Sequence, residues 1–245
     1  MLYNTELVSQ LNRVRFVKSD IGNNRGVIFD LDGVISDTQN LHSQVESEFL
    51  RSLNIHIHPD EITARFAGVG DKEMFTTVFA EHGVSHPIEQ MSKEKWTRMS
   101  QLIDKVGIKA VPYALELIET LHNNNFVLAI ASGSPRTFIN QVVEALSVKK
   151  YFSAFVSAEE VPHGKPAPDV FLEAAKQAKI SLTQCVIIED GISGMQAAAK
   201  ANIPCIGLVQ DTSKNYPATL VVMSLKDVTI ELILQLQEKQ KLLAL

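Results

Sequence analysis

Val27-Ile28-Phe29-Asp30-Leu31-Asp32-Gly33-Val34-Ile35-Ser36-Asp37-Thr38 decides the fold, because an apolar run stops there in two carboxylates one residue apart. Val27, Ile28 and Phe29 read as a buried strand. Alternate side chains of a strand share a face, so Asp30 and Asp32 are expected to project together past its end while Leu31 turns away. Two like charges so close need a cation or a shared proton.

Outward from that stretch, apolar runs rich in β-branched residues recur at Phe126 to Ala131, Ala154 to Val156, Cys185 to Ile188 and Ile203 to Val209, with amphipathic segments between them. Such alternation predicts a parallel sheet wrapped by helices. The spacing is uneven: a long gap separates Phe29 from Phe126, whereas later runs follow at helix-sized intervals, so an insertion is expected in the gap. Leu41, Val45, Phe49 and Leu53 recur there at helical spacing, and residues 60–66, 71–82 and 87–104 continue the pattern. Residues 39–106 are therefore expected to form a helical cap domain between two core segments, 26–38 and 107–245. Residues 1–25 read as an N-terminal extension, and Ile230 to Leu243 as a closing amphipathic helix.

A chain of 245 residues with 45% hydrophobic content can bury a full core. Its net charge of −5 argues against a nucleic-acid surface. Cys185 and Cys205 each sit in an apolar segment, which suits two buried thiols in a reducing compartment better than a disulfide framework. A cytoplasmic protein is expected. No apolar run approaches the ~20 residues needed to span a bilayer, and the start lacks the apolar core of a signal peptide, so no membrane partner is expected. Monomer and dimer are not distinguished.

Four core segments deliver polar groups where their apolar runs stop: Asp30 and Asp32, Ser132, Lys165, and Glu189 with Asp190. In open α/β sheets ligands bind beyond the carboxyl ends of the strands, where this pattern would collect all of these groups. An oxyanion cannot approach so many carboxylates unaided, so a hard divalent cation is implied, and oxygen ligands with a substrate phosphate suit Mg2+. With charge neutralised by metal and Lys165, Asp30 can attack phosphorus and form an aspartyl-phosphate. Asp32 would donate a proton to the leaving oxygen and then take one from the attacking water. Ser132 would donate a hydrogen bond to the phosphoryl group. A calcium loop is the alternative for Asp30 and Asp32, but an EF-hand wants Gly and Glu where this chain has Ile35 and Leu41.

Phe29 to Thr38, Ala-Ser-Gly-Ser at 131–134, Gly-Lys-Pro-Ala-Pro-Asp at 164–169 and Ile-Glu-Asp-Gly-Ile-Ser-Gly at 188–194 together resemble the four motifs of the haloacid dehalogenase superfamily. The resemblance lies with its phosphatase and β-phosphoglucomutase-like branch. It implies a Rossmann-like catalytic core with a helical cap inserted after the first motif. It also implies an Asp30 nucleophile and an Asp32 acid/base that offers its backbone carbonyl to Mg2+. Ser132, Gly133 and Lys165 would then hold the phosphate, with Glu189 and Asp190 near the metal.

Several residues carry plainer alternatives. Ser134 before Pro135 reads as a helix N-cap, and so does Ser193. Asp37 and Thr38 either cap the first cap helix or touch substrate. Asp169 suits a helix start, while His56 and His58 suit a solvated loop. His42 lies ten residues after Asp32, a spacing similar to that of β-phosphoglucomutases, and is a candidate for touching substrate or the acid/base. Arg65, Lys72 and Lys95 are candidates for meeting a distal charge on the substrate. Mutases of this branch typically carry Arg, Lys-Asn and Trp where this chain has Asp71, Pro135-Arg136 and Glu46. Those departures favour a phosphatase acting on a small phosphorylated metabolite, a sugar phosphate or a phosphoglycolate-like acid, over a hexose-phosphate mutase or an inert binding protein.

Overall fold

The computed structural model describes residues 25–67 and 69–243, so most of the N-terminal extension lies outside the described residues. In chain order the first half comprises β1 (Gly26–Phe29), α1 (Gln39–Ser52), α2 (Pro59–Phe66), α3 (Asp71–His82), α4 (Ile88–Val106), α5 (Ala114–Asn123) and β2 (Val127–Ser132). The second comprises α6 (Arg136–Ala145), β3 (Phe152–Ser157), α7 (Asp169–Gln177), β4 (Cys185–Glu189), α8 (Ile192–Lys200), β5 (Cys205–Leu208), β6 (Leu220–Val222) and α9 (Ile230–Leu243). All strands pair in parallel, in the order β3-β2-β1-β4-β5-β6. The order reverses at β1, the topological switch point at which doubly wound sheets open a crevice.

Helices cover both faces of the sheet, which is why its central strands read as unbroken apolar runs. Val27, Phe29, Val186 and Ile188 pack with α5, α6 and α9 on one side. Ile28 and Ile187 pack with α7 and α8 on the other. β6 escaped the sequence reading, since three residues at a sheet edge are too short to show a period.

Within the long gap, α1 to α4 fall inside residues 39–106, and α5 follows before β2. Phe49, Leu50, Ile62, Met74, Phe75 and Phe79 form a core of their own, with Phe75 stacked on Phe79 at 5.6 Å. Val45, Met99 and Ile103 instead join the core beside β1, so the inner face of α1 and α4 rests on the sheet-bearing body. The two chain crossings that lead into and out of these helices are zipped together, Asp37 N–H donating to the Lys109 carbonyl (2.8 Å) and Val111 N–H to that of Ile35 (2.9 Å).

Ile28 is fully buried at the sheet centre. Ile28→Ala should cost about 2–5 kcal/mol, read as a lower urea midpoint with an unchanged slope. A midpoint that does not move would remove β1 from the cooperative core.

Candidate active site

Asp30 continues the β1 ladder by donating its N–H to the Ile188 carbonyl at 2.9 Å, which sets its carboxylate where β1 and β4 end. Lys165, on the loop before α7, reaches it from the side. Its Nζ donates to Asp30 Oδ1 (2.5 Å), Glu189 Oε1 (2.8 Å) and the Ala131 carbonyl (3.1 Å), so all three ammonium protons are used. Burial disfavours the ammonium form, yet Asp30 and Glu189 hold its pKa above the ordinary lysine value. For Asp30 burial dominates: it raises the pKa to about 7 against the pull of Lys165, with the charges of Glu189 and Asp32 adding to the rise.

Glu189 is fully satisfied, its Oε2 accepting the Gly191 N–H at 2.6 Å. Asp190 is not. Its Oδ1 is buried without a hydrogen-bond partner, and burial, then the negative charges of Glu189 and Asp30, push its pKa well above the usual carboxylate range. Two glycines make room for these acids: a Cβ on Gly33, which has φ +88°, would run into the Asp190 carboxylate, and a Cβ on Gly194 into that of Glu189. Carboxylate oxygens of Asp30, Glu189 and Asp190 lie within 4.8 Å of one another. An all-oxygen set in which one buried acceptor has no partner fits a hard divalent cation.

Asp32 does not share that group of oxygens. Its Oδ1 accepts from Thr38 Oγ1 (2.5 Å) and lies 3.1 Å from His42 Nε2, while Oδ2 accepts from Ser134 Oγ (2.6 Å). Burial alone would raise its pKa, but the His42 charge and the hydrogen bonds from His42, Ser134 and Thr38 outweigh burial and bring it down to about 2. Two acids one residue apart are thus held in opposite environments.

Asp30, Asp32, His42, Ser132, Gly133 and Ser134 line one small cavity of about 30 Å³, room for little more than a water or two. Thr38 lies behind it, buried, and its hydroxyl bonds Asp32 instead of capping α1, whereas Asp37 is exposed. Ser134 does not cap α6 as expected: the N-cap position falls to Pro135, and the Ser134 hydroxyl is drawn to the buried Asp32 carboxylate. Ser132 Oγ in turn accepts the Ser134 N–H at 3.0 Å. Ser193 is likewise no cap, since its hydroxyl donates to the Ala67 carbonyl at 2.8 Å, tying α8 to the loop after α2. Asp169 stands in the first turn of α7 beside His163, and His58 caps α2 through its ring nitrogen.

Of the three basic candidates in the inserted helices, Arg65 is taken up by Glu61 and Glu81, and Lys72 is exposed; neither lines the cavity. Lys95 does line it, but it is 2% exposed and locked between Glu46 (2.7 Å) and Asp71 (2.6 Å). That trio was not legible as a unit, because its members come from three helices with no common spacing.

Asp32 gives a pH signature. A folded pKa of about 2 against 3.8 means that its contribution is present above pH ~4 and fades as the pH falls toward 2. Between pH 5 and pH 3, wild type should lose about 1 kcal/mol more unfolding free energy than Asp32→Asn, measured by urea titration. Equal losses would mean that the Thr38, His42 and Ser134 contacts do not hold the charge.

A family model for haloacid dehalogenase-like hydrolases matches residues 27–208. Among curated proteins, the chain is 31% identical to the protein SUPPRESSOR OF QUENCHING 1, chloroplastic, of Arabidopsis thaliana, over 77% of this chain and 18% of that one. It is 29% identical to the fructose-1-phosphate phosphatase YqaB of Escherichia coli, over 74% and 94%. The chain thus spans less than a fifth of the plant relative and nearly all of the bacterial one. Among solved structures, a β-phosphoglucomutase from Clostridium difficile superposes with a TM-score of 0.78 at 25% identity, over 89% of this chain and 99% of the other. With a family match across most of its length and a sheet that gathers all four motifs at one switch point, the chain belongs to the haloacid dehalogenase-like hydrolases.

Proposed function

We propose that this chain is a Mg2+-dependent phosphatase that hydrolyses a small phosphorylated metabolite through an aspartyl-phosphate on Asp30. The observation that carries the reading is the Lys165-bridged acid cluster. Asp30 is gathered there with Glu189 and an Asp190 oxygen that has no partner, which is what a phosphoryl-transfer site with a resident cation requires. Asp30, Asp190, Glu189 and the Asp32 backbone carbonyl would hold the ion. Bound there, Mg2+ supplies positive charge to the carboxylate cluster and to the transferring phosphoryl oxygens.

The chain's own groups do the rest. Lys165 restrains the Asp30 carboxylate and offsets the charge of the arriving phosphate. Ser132 and Gly133, at the end of β2, offer hydrogen bonds to the phosphoryl oxygens from a rigid strand end. Asp32, kept ionised by Thr38, His42 and Ser134, is set to accept a proton from the water that cleaves the intermediate. For the leaving oxygen, Asp32 takes a proton from solvent water as substrate displaces part of that hydrogen-bond shell, and gives it up as the bond from phosphorus to the leaving oxygen breaks. Residues 39–106 act as a cap: the cavity is too small for a sugar phosphate, so these helices must open about the zipped crossings at 35–37 and 109–111 to admit it.

A hexose-phosphate mutase is the alternative, since a β-phosphoglucomutase has the same fold. It needs a second, fixed phosphate-binding site. Arg136, next to the proposed phosphate loop, is already held by both oxygens of Glu160 at 2.7 and 2.6 Å, and Lys95 is held by two acids. Neither is free for that task, which supports hydrolysis over transfer. A cytoplasmic setting is supported by Cys185 and Cys205, both buried free thiols; among the described residues no helix is long and apolar enough to cross a membrane.

The test is phosphate release from a panel of phosphorylated sugars, polyols and small acids, with and without Mg2+. Release should need the metal and should fall at least about a thousandfold in Asp30→Asn. Release that survives either removal would sink the mechanism.

A further inference from the structure

Glu46 on α1, Asp71 at the start of α3 and Lys95 on α4 form a closed ionic network in the cavity wall supplied by the inserted helices. Lys95 Nζ contacts Glu46 Oε1 at 2.7 Å and Asp71 Oδ1 at 2.6 Å, and lies 4.6 Å from the centre of the Trp96 ring. Ser92 Oγ donates to the second Asp71 oxygen at 2.6 Å. Two carboxylates face one ammonium, so this wall carries one negative charge more than positive.

Resting on the phosphatase reading above, we propose that this network selects the part of the substrate remote from the phosphate: the chain takes phosphomonoesters of sugars or sugar alcohols whose far end is uncharged and hydroxylated, and rejects bisphosphates and phosphorylated acids. A hydroxyl donates to a carboxylate and accepts from an ammonium, so it can join the network without breaking it. A second phosphate or a carboxylate only accepts. To reach Lys95 it must displace Glu46 or Asp71 and leave that carboxylate buried without its cation, beside a ligand of the same sign. Lys95 is therefore not a receptor for a distal anion, and Gln39, which shares the cavity, adds an uncharged partner suited to hydroxyls.

Matched pairs test this, the members differing only in a terminal CH2OH or carboxylate: glucitol 6-phosphate against 6-phosphogluconate, and glycerol 3-phosphate against 3-phosphoglycerate. With wild-type enzyme and Mg2+, kcat/KM for the neutral member of the better pair should exceed that for its acid at least tenfold. Glu46→Gln with Asp71→Asn should narrow the ratio to threefold or less by raising turnover of the acid. Should the double variant not fold, the isosteric Glu46→Gln alone should shift the ratio the same way. p-Nitrophenyl phosphate, which has no hydroxylated tail, separates the two readings. If it is hydrolysed while the pairs show no preference, prefer the acid or are not hydrolysed, the selection of neutral tails is overturned alone. If nothing at all is hydrolysed, the phosphatase reading falls and takes the selection with it.

Discussion

The buried ammonium of Lys165 is the constraint on which the rest of the site depends. It has no exposed surface and bonds two carboxylates and a carbonyl from three different segments of the sheet body. A buried charge of this kind is tolerable only with complete hydrogen bonding, and removing Lys165 would leave two buried carboxylates without their cation. The ends of β1, β2 and β4 must therefore meet to within hydrogen-bond distance, which the adjacency of these strands at the centre of the sheet guarantees. Gly33 and Gly194 belong to the same requirement, because any side chain there would occupy the space of an acid.

From that anchor follows the division of labour between Asp30 and Asp32. The strand ends at Phe29 and the chain bends at Leu31, so both acids reach the cavity but are not alike. Asp30 looks into the crowded acid cluster, where burial and like charges favour the protonated form unless a cation is supplied. Asp32 meets hydroxyls and an imidazole that stabilise its charge. The pKa values of two neighbouring carboxylates are thereby pulled apart, and a cation bound among Asp30, Glu189 and Asp190 would bring the Asp30 value down again. Here the separation comes from which segment each acid faces, the sheet for one and the start of α1 for the other.

How much was legible in the sequence follows the same line. The buried strands show as apolar runs because both sheet faces are covered, and the motif acids show because each stands where a run stops, whereas Lys165, in the loop between β3 and α7, shows only through its Gly-Lys-Pro setting. What failed were assignments made from local capping rules. Ser134 and Ser193 occupy positions that look like helix starts, yet their hydroxyls go to Asp32, far away in sequence, and to the Ala67 carbonyl. A buried carboxylate or a docked carbonyl outcompetes a helix N-terminus that water can serve, and no local pattern reveals such a partner. Lys95 was visible as a cation but not as a paired one, since pairing depends on how α1, α3 and α4 pack.

Thr38 and His42 sit at the start of the inserted helices but act on an acid that belongs to the sheet body. The insertion is thus part of the electrostatic surroundings of Asp32 as well as a wall of the cavity. Moving α1 would take two of the three groups that hold the Asp32 charge away from it and admit water in their place. Cavity opening would therefore exchange a hydroxyl and an imidazole for water around Asp32, and closure would restore them.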